Sequence, residues 1–295
     1  MNDRLIGVFH VAVSAASFGA MAIFARLAQD AGVEVTAVLF LRFALAALLM
    51  AGYMGLGGRR WPRGRNLLTL IAMGALGYVG QSFCFFSALN HASAGLVALL
   101  LYLYPFLVTL LGALFLRQRL SMGRVLAVLA ALAGTALTLG GGLAGEPAGV
   151  MLSLAAALIY SVYILAGSRV LASEDPVAAA TVVMIAAAVV FGGLSWQAAP
   201  RFPHDAQGWL AVLAIALVST VIAMVGFFAG LARLGAADAA TLSTLEPVVT
   251  IGLAALFLGE PMSLQQLAGG AIILAAGIWL ARSGPAVRRC GRGPA

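Results

Sequence analysis

Apolar residues fill this chain in long blocks separated by short clusters of Arg, Gly and Pro, with neither the two-residue alternation of a strand nor the narrow stripe of a surface helix. About 20 such residues, rising ~1.5 Å each, cross a hydrocarbon core ~30 Å thick. On that measure the pattern predicts ten spans, at 6–27, 36–56, 67–89, 94–116, 123–140, 149–167, 176–196, 209–231, 237–258 and 264–281. The connections leave no room for a soluble domain, so function must sit inside an all-α membrane bundle. The first block follows Arg4 as a secretory signal would. It runs on to Leu27, beyond a signal core of about 7 to 15 residues, and reads as a retained helix.

Composition agrees: 63% of the 295 residues are hydrophobic and 9% charged, against roughly half and a quarter in soluble domains. A net charge of +7 would suggest nucleic acid in a soluble protein. Here all 17 basic residues are arginines, most of them beside apolar blocks, so the charge speaks of topology and not of a nucleic-acid partner. With the N-terminus inside, every arginine except Arg26, Arg201 and the intramembrane Arg42 falls on the cytoplasmic side. That bias predicts a multi-pass protein of a cell membrane, the bacterial inner membrane, with both termini cytoplasmic. Cys84, in an apolar block, and Cys290, in the basic tail, form no disulfide framework or metal spacing. His10, His91 and His204 are scattered, so neither a metal nor another cofactor is expected.

Sliding the chain so that Ala113-Leu-Phe-Leu-Arg-Gln-Arg-Leu-Ser121 falls on Ala255-Leu-Phe-Leu-Gly-Glu-Pro-Met-Ser263 also sets Pro105 on Pro247, Phe85-Phe86 on Phe227-Phe228 and Leu89 on Leu231. The chain is thus two five-helix repeats, 1–142 and 143–295, the second ending in a basic cytoplasmic tail. Five is odd, so the copies cross in opposite senses. The turns agree, since Arg117-Gln-Arg119 is replaced on the other side by Gly259-Glu-Pro261. Inverted repeats hold substrate sites near the midplane, where the halves meet, and alternate access as the halves rock.

Leu41-Arg42-Phe43, Ser87-Ala-Leu with Ser93-Ala-Gly95, the mid-helix Pro105, Ala113-Leu-Phe-Leu, and Glu246-Pro247 with Leu258-Gly-Glu-Pro261 together resemble the drug/metabolite transporter superfamily, specifically EamA-type ten-helix exporters. The resemblance runs from Ile6 to Arg282. It implies two five-helix bundles around a central cavity and export of small metabolites or amino acids, some members being aromatic amino acid exporters. The first copy departs from the usual Gly-Glu at its turn, carrying Arg117-Gln118.

Glu246 stands ~13 Å from the cytoplasmic end of its span by helical rise. A charge at that depth costs about 2.5 to 3.5 kcal/mol to insert and usually marks a substrate or proton pathway; a structural carboxyl bonded to a neighbouring Ser or Thr is the alternative. It would be the proton carrier if transport is proton-coupled. Pro247 and Pro105 each remove a helix hydrogen bond, freeing the carbonyls of Ser243 and Leu101, and are expected as paired hinges, packing kinks being the simpler reading. Arg42 either snorkels ~9 Å outwards or offers a fixed positive charge to a carboxylate or phosphate. Tyr104 occupies the repeat position of Glu246, with Tyr102 two residues earlier. Tyr78, Gln81, Ser82 and Phe85 share one helical face, a mixed surface suited to an amphipathic ligand. Phe18, Met21, Tyr160 and Tyr163 are candidate walls, with core packing as the plainer role. The strings around Gly134, Gly140–Gly142, Gly269 and Gly277 are expected to let backbones approach closely.

No His-Glu-x-x-His, Gly-x-Ser-x-Gly or aspartate pair supports an enzyme, the few polar positions do not form the rings of a channel, and no Walker motif supplies ATP. The expected function is secondary efflux of amino acids or similar metabolites. Uptake or exchange of an anionic or phosphorylated metabolite is the alternative. The small-molecule substrate and the lipid bilayer are the expected partners, for a monomer or a homodimer.

Overall fold

The computed structural model describes residues 3–92, 94–116, 121–139, 145–258 and 262–283. The Arg117–Arg119 and Gly259–Pro261 turns, Gly140–Gly142, Ser93 and the tail with Cys290 lie outside them. Among the described residues ten apolar rods cross the molecule. They are α1 (Asp3–Gly19 and Met21–Asp30), α2 (Val35–Leu56), α3 (Gly64–Ala72, continued to Ala88), α4 (Ala94–Leu101 and Tyr104–Leu116), α5 (Met122–Leu139), α6 (Pro147–Val170), α7 (Pro176–Ala198), α8 (Ala206–Ala216, continued to Leu234), α9 (Ala236–Leu242 and Leu245–Leu258) and α10 (Leu264–Ser283). Eight are long and apolar enough to span a membrane; α5 and α10 are the shorter apolar pair. The chain is an all-α, multi-pass membrane protein, as its pattern predicts.

Starts are marked by local chemistry. Asp175 caps α7 by accepting from the Val177 and Ala178 N–H groups, with Pro176 at the first helical position, and Asp205 caps α8 through Gly208 N–H. Gly235 (φ 81°) ends α8 and turns the chain into α9 in a conformation that residues with a Cβ avoid.

The packing follows the repeat. α1 lies along α8 and, in the mirror relation, α6 along α3; α2 pairs with α7, and α5 with α10. The two copies therefore interlock rather than stand side by side. Lipid is as apolar as the core, so close backbone approach has to hold such pairs. Where α5 meets α10, a Cβ on Gly134 would lie 2.7 Å from the Gly269 carbonyl. Gly277 is different: a Cβ there would make only ordinary contacts with Leu242 and Leu245, so its expected close approach is not found.

Both copies break in mid-membrane before their proline, at Tyr102–Leu103 and Ser243–Thr244. The Ser243 carbonyl, expected to be freed by Pro247, instead accepts from the Glu246 N–H at 3.0 Å, because a tighter turn replaces the lost bond. Each break rests on its neighbour in an equivalent way. Ser161 of α6 donates to the Tyr104 carbonyl at 3.4 Å. Its repeat mate Gly19 of α1 lies so close to the Glu246 carbonyl that a Cβ would sit 2.9 Å away. Wide π-turns interrupt α3 at Met73–Tyr78 and α8 at Leu217–Ile222, nearly matching positions.

Candidate functional site

A cavity of about 340 Å³ lies among α1, α2, α3, α4, α6, α8 and α9. Its lining runs from Gln29 and Val35, where α1 ends and α2 begins, down to Glu246 at mid-depth. It therefore faces the end of the bundle opposite the one that carries Arg4.

The structure brings Phe18, Met21, Arg42, Tyr78, Gln81, Ser82, Phe85, Tyr102, Tyr104, Tyr160 and Glu246 to this cavity. The shared face on α3 is real: Tyr78, Gln81, Ser82 and Phe85 all line one wall. Two expected residues do not reach it. Tyr163 is buried behind Tyr160, stacked on it at 5.9 Å and packed on Phe228. Ser243 is buried in the α9 break, its Oγ donating to the Ala239 carbonyl at 3.0 Å. Pro105 and Pro247 lie just beyond the breaks, buried, and outside the lining.

Arg42 does not snorkel. Only 4% exposed, its guanidinium turns inward, donating from Nε to Thr220 Oγ1 (3.0 Å) and from Nη2 to the Ser219 carbonyl (3.2 Å) and Tyr78 OH (3.4 Å), with Nη1 on Met21 Sδ (3.0 Å). It also lies 4.8 Å from the Phe43 ring centroid, in cation–π range. The π-turn in α8 makes this cradle. The Ala223 N–H bonds the Thr220 and Val218 carbonyls, leaving the Ser219 carbonyl to the arginine, and Thr220 Oγ1 donates five residues back to Ile215 O. These partners are all neutral or soft. Among the described residues no carboxylate lies within 4 Å of Arg42. A buried cation is usually paired; this one faces a cavity without a counter-ion.

Glu246 is the acidic residue of the lining. Its carboxylate faces the Tyr102 hydroxyl, with Tyr104 and Tyr160 beside it. Tyr104 and Tyr160 pack edge to face at 4.8 Å. The cavity thus has one positive and one negative pole, not bonded to each other, and aromatic walls between them.

Thr220 and Ser219 escaped the sequence reading. The repeat signals Thr220, which it sets on Tyr78; the hydroxyls of Thr220 and Tyr78 both accept from Arg42. Thr250 was missed as well: it lines the cavity and ties α9 to α1 by donating to the Gly19 carbonyl at 3.1 Å.

The sequence profile of the EamA-like transporter family matches residues 5–140 and again 147–282. The chain is 29% identical over 289 residues to the uncharacterized transporter YcbK of Bacillus subtilis (strain 168), covering 91% of this chain and 90% of that protein. It is 28% identical over 253 residues to a probable terminal-alkyne amino-acid exporter of Streptantibioticus cattleyicolor, covering 83% of each. A crystal structure superposes with a TM-score of 0.82 over 96% of this chain and 99% of that one; at 24% identity the likeness is one of fold.

Proposed function

This chain belongs to the EamA-like transporter family, and from that premise we propose that it is a secondary transporter that exports amino acids or similar small zwitterionic metabolites by alternating access. The observation that carries the reading is the cavity with two unpaired poles. Arg42 is preorganised on Thr220 and the Ser219 carbonyl to receive a carboxylate, and Glu246 to receive an ammonium group, while Tyr102, Tyr104, Tyr160 and Phe85 cover an apolar side chain. Desolvated poles of this kind reject a ligand lacking either charge by leaving the other group buried and unpaired.

The family match and the name of the Streptantibioticus relative support export of an amino-acid-like substrate. The arginine distribution supports termini in the cytoplasm, which puts the cavity on the outer side. Export then ends in the conformation seen here. The breaks before Pro105 and Pro247 are the hinges of the rocking motion in this reading. A second reading, exchange of a phosphorylated metabolite, draws on the unpaired Arg42, but a phosphate dianion would share the cavity with the Glu246 carboxylate. Counterflow in proteoliposomes with labelled amino acids, nucleosides and sugar phosphates separates the two. Exchange of amino acids is expected; exchange of phosphorylated compounds alone would overturn the reading.

A further inference from the structure

At the end of the bundle away from the cavity, two buried charged groups, Asp238 and Arg4, meet a half-buried third, Arg124. Asp238, at the start of α9, is 1% exposed. Its Oδ2 accepts from Arg4 Nη1 of α1 at 3.1 Å and its Oδ1 from Arg124 Nε of α5 at 2.7 Å. Arg4 is itself buried and also donates, through Nη2, to the Leu280 carbonyl of α10. One carboxylate thereby ties together the ends of four helices, two from each repeat. None of these residues touches the cavity, and neither the family likeness nor the two poles accounts for them.

The repeat sets this cluster apart. The equivalent helix ends at the open side carry Glu146 in place of Arg4, Leu96 in place of Asp238 and Gln266 in place of Arg124. Glu146 there pairs with His91, both well exposed. An inverted-repeat transporter exchanges its two faces by letting each half take up the packing of the other. The sealed end seen here thus holds a buried ionic knot that the other end, when sealed in turn, cannot build.

We propose that Asp238, bridged to Arg4 and Arg124, is a one-sided latch that holds the cytoplasmic end shut and makes the outward-open state the resting state of the empty transporter. Opening that end draws α1 and α5 away from α9, and each guanidinium must exchange the buried carboxylate for water. Leaving the buried carboxylate uncompensated is strongly destabilising, so Asp238 stays buried only while its arginines hold it. The proposal uses the alternating-access part of the functional reading but not its substrate.

The test reads conformation without transport. In full-length protein lacking Cys84 and Cys290, a reporter cysteine is placed either in the cavity, Ala98→Cys, or one turn inward of Arg124, at the 2% exposed Ala127→Cys. A water-soluble maleimide is applied in detergent, without substrate. With the latch intact, the cavity reporter labels and the inner one does not. Asp238→Asn is expected to raise labelling of the inner reporter at least about tenfold and to lower that of the cavity reporter, as a shift of a two-state population requires. Asp238→Glu, which keeps a carboxylate between Arg4 and Arg124, is expected to keep the original pattern. Should Asp238→Asn fail to give monodisperse protein, Arg124→Gln, at a partly exposed position, decides in its place. Unchanged labelling of both reporters in a folded latch variant would overturn the proposal, while failure of amino-acid counterflow with the shift present would overturn only the substrate reading.

Discussion

The two repeats share their architecture and differ in their charges. Both have a helix broken before a proline, at Pro105 and Pro247, a small residue of the other repeat's first helix against that break, Ser161 and Gly19, and a π-turn in the third helix. The charged positions have no such twins. Glu246 is matched by Tyr104, Arg42 by Met184, Asp238 by Leu96 and Arg4 by Glu146. What duplication preserved is the scaffold, because both copies must interlock through the same faces. What differs is the charge, and under the proposed function that is expected, because a zwitterionic substrate needs one pole of each sign and not two of either.

Breaking the asymmetry should have the largest effect. Glu246→Gln is expected to lower counterflow of an amino acid about a hundredfold, the ~3 kcal/mol lost when one partner of a desolvated charged contact is removed. Glu246→Tyr, which gives the second half the residue of the first, is expected to be no better. Counterflow retained in Glu246→Gln while net export is lost would instead make this carboxylate the proton-coupling group.

Breaking the shared scaffold should do less, and equally in both halves. Pro105→Ala and Pro247→Ala each restore a backbone donor and stiffen the break. Both are expected to slow turnover roughly tenfold, about 1.4 kcal/mol, while raising the melting temperature in detergent. Normal turnover in Pro247→Ala would remove the hinge.

The hydrophobic pattern was enough for the ten rods, whose ends fall within a few residues of the predicted spans, because each must bury about the same length of backbone in lipid. Self-comparison was enough for the repeat. The interruptions inside the rods were legible only in part. Prolines announced two of them, but the breaks fall two to four residues before each ring, where the missing bond is made good by a tighter turn. The π-turns have no residue signature, since an extra residue in a turn is a matter of register. Arg42 shows the same limit. Its depth allowed a route to the surface, and only the three-dimensional neighbourhood, Thr220 and the Ser219 carbonyl, turns it inward. Asp238 carries no signal of its own in the sequence, since an acid in the first turn of a helix is ordinary beside the helix dipole. The two arginines that make it unusual lie on other helices, far off in the chain.

The claim that Arg42 and Glu246 hold the two ends of one substrate is tested most directly by counterflow of an aromatic amino acid, its decarboxylated amine and its deaminated acid, in the native protein, Arg42→Met and Glu246→Gln. The native protein should favour the amino acid over both analogues by about a hundredfold or more. Arg42→Met should lose the preference over the amine alone, and Glu246→Gln the preference over the acid alone. Native-like discrimination by both variants would contradict the account.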